Sequence, residues 1–281
     1  MNLFGKKQAD EPKTQAELLY DMQVRKGRTF QANVIVSWIF MILLLYLVFS
    51  GDTLGLDAIK LDTQFMKDNF GFIGKGLGVT IYISALSIVL AIVMALLAAL
   101  GRLSRFPPFY ALSTFYVSLM RGTPLYLQIF FFFLALPQII PWWANVPGLW
   151  AGVLALGLNY GAYMSETFRA AISSVGKGQR EAAIALGMTQ GQVMRRIVMP
   201  QALRFAIPPM GNDFIAMTKD SAMVAATGFV HEVMWRATRQ GRSNLRNLEA
   251  LIIAAFFYWM MTLLLTAVQS RIEARLAKGD R

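Results

Sequence analysis

The chain has 281 residues, 56% of them apolar and 15% charged, with a formal net charge of +11. Long apolar runs place it in the membrane class, with room for about five or six spans and little else, and basic residues set beside those runs fit topology and anionic lipid headgroups, not nucleic acid. Cysteine is absent and His231 is the one histidine, which excludes disulfides, thiolate chemistry and a histidine-rich metal centre.

Residues 1–32 mix Lys and Arg with Asp, Glu and Gln. They are too long and too acidic for the n-region of a signal peptide, and no clear small-x-small cleavage site follows the next apolar run. They read as a tail, and 33–50 as a retained span, with Asn33 to Phe49 as its apolar part. Leu77 to Leu100 is the cleanest run. Ala111 to Leu136 is long but carries Arg121, Gly122 and Pro124 inside it. Leu149 to Phe168 holds Asn159, Tyr163 and Glu166. A weaker candidate, Leu203 to Phe229, is interrupted by Pro208, Pro209, Asp213, Lys219 and Asp220, and Leu248 to Val268 is clean again. The predicted fold is all-α: a polytopic membrane helix bundle of about six transmembrane helices.

Parity supports six crossings. The N-terminal tail (Lys6, Lys7, Lys13, Arg25, Lys26, Arg28) and the C-terminal tail (Arg271, Arg275, Lys278, Arg281) are both basic, so both are expected in the cytoplasm. Arg102, Arg105 and the basic stretch from Arg169 to Arg204 then also lie inside. The outer segment 227–247, with Arg236, Arg239, Arg242 and Arg246, runs against the rule.

Ionisable groups at membrane depth cost at least about 2.5 kcal/mol each, so they mark a pathway or a paired site. Asn159, Tyr163 and Glu166 share one helical face, beside the close-packing pair Gly157 and Gly161. Asp213 and Asp220 share a face, with Lys219 and Ser221 adjacent, and Arg121, Thr123 and Gln128 surround a Gly-Pro break. Carboxylates of this kind hold an ammonium group, while Arg121 or a freed helix N-terminus holds a carboxylate. The competing reading is that these groups staple the bundle, Glu166 with Arg169 or a partner and Lys219 with Asp220. Thr80, Ser84, Ser87, Ala91, Ala95 and Ala98 form a small-residue stripe, expected to be a helix–helix contact. The Phe130 to Phe133 run reads as lipid-facing or core-filling, and Trp142 and Trp143 as part of an interfacial belt.

Residues 180–200 are too polar to span. Glu181 leads a predicted helix through Leu186, where a carboxylate favours the dipole. Gly187 is placed to end it. Thr189 and Gln192 match a capping box that starts a second helix, and Pro200 closes that helix or begins the next span.

The pattern Glu181-Ala182-Ala183, Gly187, Ile197, Pro200 resembles the signature of ABC importer permeases, with Met199 where that pattern usually has Leu. The runs 121–125 (RGTPL), 159–166 (NYGAYMSE) and 219–221 (KDS) resemble the polar amino acid uptake subfamily, of histidine/glutamine type. The resemblance covers about residues 70–275, a five-helix core of type I permease form, and leaves 33–50 as an additional N-terminal helix. It implies a permease subunit of the bacterial inner membrane, paired with a second copy or a homologue. Glu181, Ala182, Ala183, Gly187, Ile197 and Pro200 would dock a separate ABC ATPase that uses ATP and Mg, and an extracytoplasmic solute-binding protein would deliver a polar amino acid. The chain carries no Walker A run and no H-E-x-x-H or G-x-S-x-G motif, so it is expected to bind no cofactor and to catalyse no reaction itself. An ion- or proton-coupled carrier, or a channel, is the alternative that the intramembrane acids leave open.

Overall fold

A computed structural model describes residues 15–49 and 61–277; Lys6, Lys7, Lys13, Lys278 and Arg281 of the topology argument lie outside them. Two compact units divide between Leu61 and Asp62. Among its described residues, the first contains one long helix, α1 (Gln15–Phe49). Its apolar stretch runs from Arg28 to Leu44, and the helix-forming residues from Gln15 carry it N-terminally well beyond the expected span.

Among the described residues of the second unit, every regular element is helical: α2 (Thr63–Gly74), α3 (Gly76–Arg102), α4 (Pro107–Gly122), α5 (Leu125–Phe130), α6 (Leu136–Ile139), α7 (Gly148–Ser174), α8 (Lys177–Ala185), α9 (Gln190–Val193), α10 (Met199–Asp220), α11 (Val233–Ser243) and α12 (Asn247–Ala277). Short π turns join α5 to α6 and α9 to α10, and 3-10 turns cover Pro141–Asn145 and Ser221–Thr227.

The centre is α3 against α7. Thr80, Ser84, Ser87, Ala91, Ala95 and Ala98 are all buried, while Tyr82, Val89, Val93 and Leu97 on the opposite side of α3 are exposed. That split gives one protein-facing and one lipid-compatible side. The α7 glycines answer the stripe. A β-carbon on Gly157 would lie 2.7 Å from Leu90, and one on Gly161 2.9 Å from Met94. Leu156, Met164, Phe168, Val198, Ala202 and Met217 continue this core into α7, the π turn before α10, and α10 itself. A separate cluster, with Ile73, Val233, Ala237, Ile253 and Ala254, binds α2, α11 and α12.

Among the described residues, two stretches are long and apolar enough to cross a membrane by composition, Thr63–Arg102 with mean hydropathy 2.8 and Asn247–Leu276 with 2.2. The predicted third span is not one straight helix. It breaks after Gly122, and the helical segments Pro107–Gly122 and Leu125–Ile139 meet at 107°. Pro124 drives Thr123 out of the α region, to φ −119° and ψ 146°. The expected spans 149–168 and 203–229 form α7 and, with the 3-10 turn after it, α10; α7 is largely buried in protein, which lets it carry polar residues. Within α10, Pro208 frees backbone carbonyl groups, and its own carbonyl accepts a hydrogen bond from Gln269 Nε2 of α12 at 3.2 Å.

Candidate functional site

A cavity of about 540 Å³ opens between α4, α5, α7 and α10. Six residues singled out in the sequence line it: Arg121, Thr123, Asn159, Tyr163, Asp213 and Asp220. Helical spacing explains each pair. Asn159 and Tyr163 are one turn apart on α7, and Asp213 and Asp220 are two turns apart on α10.

The Gly-Pro break supplies the remaining wall and has its own repair. Ending α4 at Gly122 leaves carbonyl groups without intrahelical partners, which is costly at membrane depth unless protein satisfies them. Gln128 Nε2 donates to Met120 O at 2.9 Å, Thr123 O at 3.2 Å and Thr123 Oγ1 at 2.8 Å. Asn159 Nδ2 donates to Met120 O and to Gln128 Oε1, both at 3.1 Å. Gln128 is therefore buried scaffold behind the wall, outside the lining. Asn159 serves both wall and scaffold.

Three other expected residues lie elsewhere. Glu166 is engaged by Arg102, by Arg121 at 3.3 Å and by Arg169 at 2.9 Å. The Arg169 pair is the stapling alternative of the sequence reading, and Arg102 enters from the far end of α3. Lys219 is exposed and does not line the cavity. Ser221 is buried and donates to Thr218 O at 2.8 Å. One polar side chain of the lining, Tyr160, is not among the expected residues. Tyr160 Oη donates to Asp220 Oδ2 at 2.7 Å, joining α7 to α10; its position between Asn159 and Gly161, inside the polar run, was the available signal.

A second cavity, of about 740 Å³, shares Met223 with the first and is lined also by Trp235, Arg239 and Arg242. Beside it α11 begins at a buried acid. Glu232 Oε1 caps the helix by accepting from Trp235 N at 2.7 Å, and Oε2 accepts from Tyr258 Oη and from Thr80 Oγ1 at 3.4 Å. Burial pushes the Glu232 carboxyl above the usual carboxylate range, and these hydrogen bonds pull it part of the way back.

The polar segment 180–200 forms two short helices with well-made ends. Gly187 has φ +81°. Gly187 N donates to Ile184 O at 2.9 Å and Met188 N to Ala183 O at 3.1 Å, the two bonds of a Schellman motif. Thr189 and Gln192 form the expected reciprocal capping box. One expectation is corrected: α8 starts at Lys177, with Gly176 extended before it and no acid in the first turn. Glu181 is thus in the second turn, too far along to gain much from the helix dipole. The earlier start is held by Arg180, which donates to Ile172 O. Pro200 takes the second of its two expected roles and stands in the first turn of α10, where the next expected span begins. A π turn, Met194–Val198, precedes it, and Met199 N reaches back to Met194 O, so the chain runs on into α10. Glu181, Ala182, Gly187 and Pro200 are exposed, Ile197 is half-buried and Ala183 is buried, anchoring α8. Leu186, at 84% exposure, is an apolar side chain offered to a partner or solvent.

Among the described residues no group of three or more His, Cys, Asp or Glu is placed to hold a metal.

The sequence model of binding-protein-dependent transport system inner membrane components matches residues 87–278. The chain is 38% identical over 222 residues to the arginine transport system permease protein ArtQ of Bacillus subtilis (strain 168), covering 79% of this chain and 100% of ArtQ. It is 40% identical to the L-cystine transport system permease protein TcyB of the same organism, covering 72% of this chain and 85% of TcyB. A solved structure described as an amino acid ABC transporter with histidines superposes with a TM-score of 0.71 at 34% identity, over 77% of this chain and 100% of that one. The inward-facing MetNI methionine ABC transporter shares the fold, with a TM-score of 0.61 at 18% identity, over 72% of this chain and 94% of that one. This chain belongs to the family of binding-protein-dependent transport system inner membrane components and is a multi-pass membrane permease component of an ABC importer.

Proposed function

We propose that this permease moves polar amino acids, and that the 540 Å³ cavity is part of their path. The observation that carries this reading is the chemistry of the lining: one guanidinium, Arg121, from α4 and two carboxylates, Asp213 and Asp220, from α10, with Thr123 between α4 and α5 and Asn159 and Tyr163 on α7. Such a set matches a zwitterion with a carboxylate end and a cationic end. The substrates named for the relatives, arginine and cystine, are amino acids of this type.

In this reading α8, with its glycine-ended turn, seats in a separate ATPase that binds ATP and Mg, and both chain termini lie in the cytoplasm. A second permease subunit, identical or homologous, completes the membrane unit. A solute-binding protein delivers substrate from outside, where the arginines of α11 offer a basic contact for an acidic receptor surface. The ion- or proton-coupled carrier is disfavoured by the family membership, since its mechanism gives the α8 turn no role.

The test is uptake into proteoliposomes containing the permease, its ATPase and the binding protein. A panel including L-arginine, L-glutamine and L-cystine should reveal uptake that stops when ATP hydrolysis is blocked. Asp213→Asn and Asn159→Ala should reduce it. Uptake driven by a pH gradient without nucleotide would overturn the proposal.

A further inference from the structure

Three guanidinium groups meet at a single carboxylate, and the three contacts are unequal. Glu166 Oε2 accepts from Arg169 Nε at 2.9 Å, and Oε1 is shared between Arg102, close by, and Arg121 at 3.3 Å. One carboxylate balances one of three cations, so the cluster keeps an excess of positive charge. Arg121 is the most weakly tied to Oε1, is 42% exposed, and is the member that also lines the cavity. Its guanidinium lies 5.2 Å from the centre of the Tyr163 ring, another lining residue, and this contact steadies it beside the cavity. If Arg121 let go, Glu166 would still have a guanidinium donor on each oxygen, so no bare carboxylate would be left behind.

We infer that Arg121 is an exchangeable cation: a ligand carboxylate entering the cavity takes it from Glu166, and the cluster registers that the cavity is loaded. The inference rests on the amino acid reading of the cavity. The exchange makes and breaks no covalent bond; one carboxylate replaces another on the same bidentate donor. Its consequence is a loosened tie between the end of α4 and α7. Of the remaining ties, Arg102, the last residue of α3, holds that helix to α7, and Arg169 lies in the closing turns of α7, which ends at Ser174 just before α8 begins at Lys177. Occupancy of the cavity is thereby communicated toward the segment that meets the ATPase. A ligand can shift such an equilibrium only through a difference in its affinity for the two arrangements, and the exchangeable pair supplies that difference.

The test uses the permease reconstituted with its ATPase, and measures equilibrium binding of L-arginine, L-glutamine and L-cystine beside the α-carboxamide of each. Glu166→Gln removes the competitor and should tighten binding of the acids about two- to fivefold, the range of a part-exposed ion pair. Arg169→Gln leaves Glu166 more dependent on Arg121 and should weaken the acids by a similar factor. The carboxamides, which cannot replace Glu166 as an anion, should move in neither variant. The opposite signs guard against misfolding, because a damaged protein would weaken every ligand in both variants. Equal shifts of acid and carboxamide, or shifts of the same sign in the two variants, overturn the exchange. If Asp213→Asn and Asn159→Ala leave acid binding unchanged, the amino acid reading of the cavity fails first, and the exchange fails with it.

Discussion

Gly76 and Val233 meet backbone to backbone: a β-carbon on Gly76 would lie 2.5 Å from Val233 N and 2.6 Å from its Cα. The start of α3 rests on the start of α11, and neither side has a side-chain end that could swing away. Gly76→Ala should destabilise the fold by about 1–3 kcal/mol, as overpacking does. Gly78, two residues on, has nothing within 4 Å of such a carbon, so Gly78→Ala should stabilise by about 0.5–1 kcal/mol through helix propensity. Thermal unfolding of the detergent-solubilised protein should separate the two by sign. Equal shifts would disprove the close approach.

Gly187 presents the reverse situation. Its surroundings are open, but its φ of +81° is strained for any residue with a β-carbon. Gly187→Val should lose about 1–2 kcal/mol of local helix-end stability and weaken co-purification of the ATPase, with membrane insertion intact. Gly187→Asn, which tolerates the left-handed region, should retain most of the ATPase. If Val and Asn retain it equally, the shape of this turn does not matter for docking.

The parts legible in the sequence are those governed by local rules. The small-residue stripe on α3, the Gly187 terminus and the Thr189–Gln192 box depend on spacing and short-range bonds, and all three are found. The cavity was legible in part, because Asn159 with Tyr163 and Asp213 with Asp220 are each fixed by helical period. What links one helix to another was not. Gln128 turns inward to mend the chain break it sits beside, Arg102 reaches Glu166 across 64 positions, and Tyr160 ties off Asp220. Hydropathy also misled about shape: residues 111–136 are apolar enough for one crossing, but Pro124 bends the path by 107°. The Glu232 joint escaped because its partners, Thr80 and Tyr258, come from two distant helices.

That joint predicts a pH dependence. Burial raises the Glu232 carboxyl in the folded protein, so the folded state holds this proton more tightly than the unfolded chain, where the value is about 4.3. Below that value both states are protonated and the stabilising contribution is fully present. As pH rises the unfolded chain ionises first, and stability is lost progressively until pH passes the raised folded value. Glu232→Gln never ionises, and its amide oxygen can still cap Trp235 N. The Tm of Glu232→Gln minus that of the parent should therefore climb between about pH 4 and neutrality. A flat difference would mean that hydrogen bonds from Trp235, Tyr258 and Thr80 cancel the effect of burial, and a falling one that they outweigh it.

Tyr160 and Asp220 separate anchoring from recognition. The Tyr160 Oη bond to Asp220 Oδ2, at 2.7 Å, ties α7 to α10 at the cavity wall. Tyr160→Phe removes the donor and should cost about 1.5–3 kcal/mol, the range for a hydrogen bond to a charged group. Asp220→Asn keeps an oxygen that can accept from Tyr160, so its stability loss should be smaller. Uptake should rank them the other way. Neutralising Asp220 removes a carboxylate that faces the cavity, and KM for L-arginine should rise more than KM for L-glutamine. Tyr160→Phe leaves that carboxylate free for a cationic side chain, and the arginine preference should persist in protein that melts earlier. If Asp220→Asn leaves the ratio of the two KM values unchanged, Asp220 is an anchor alone, and Asp213 becomes the acid to test for recognition of the cationic end.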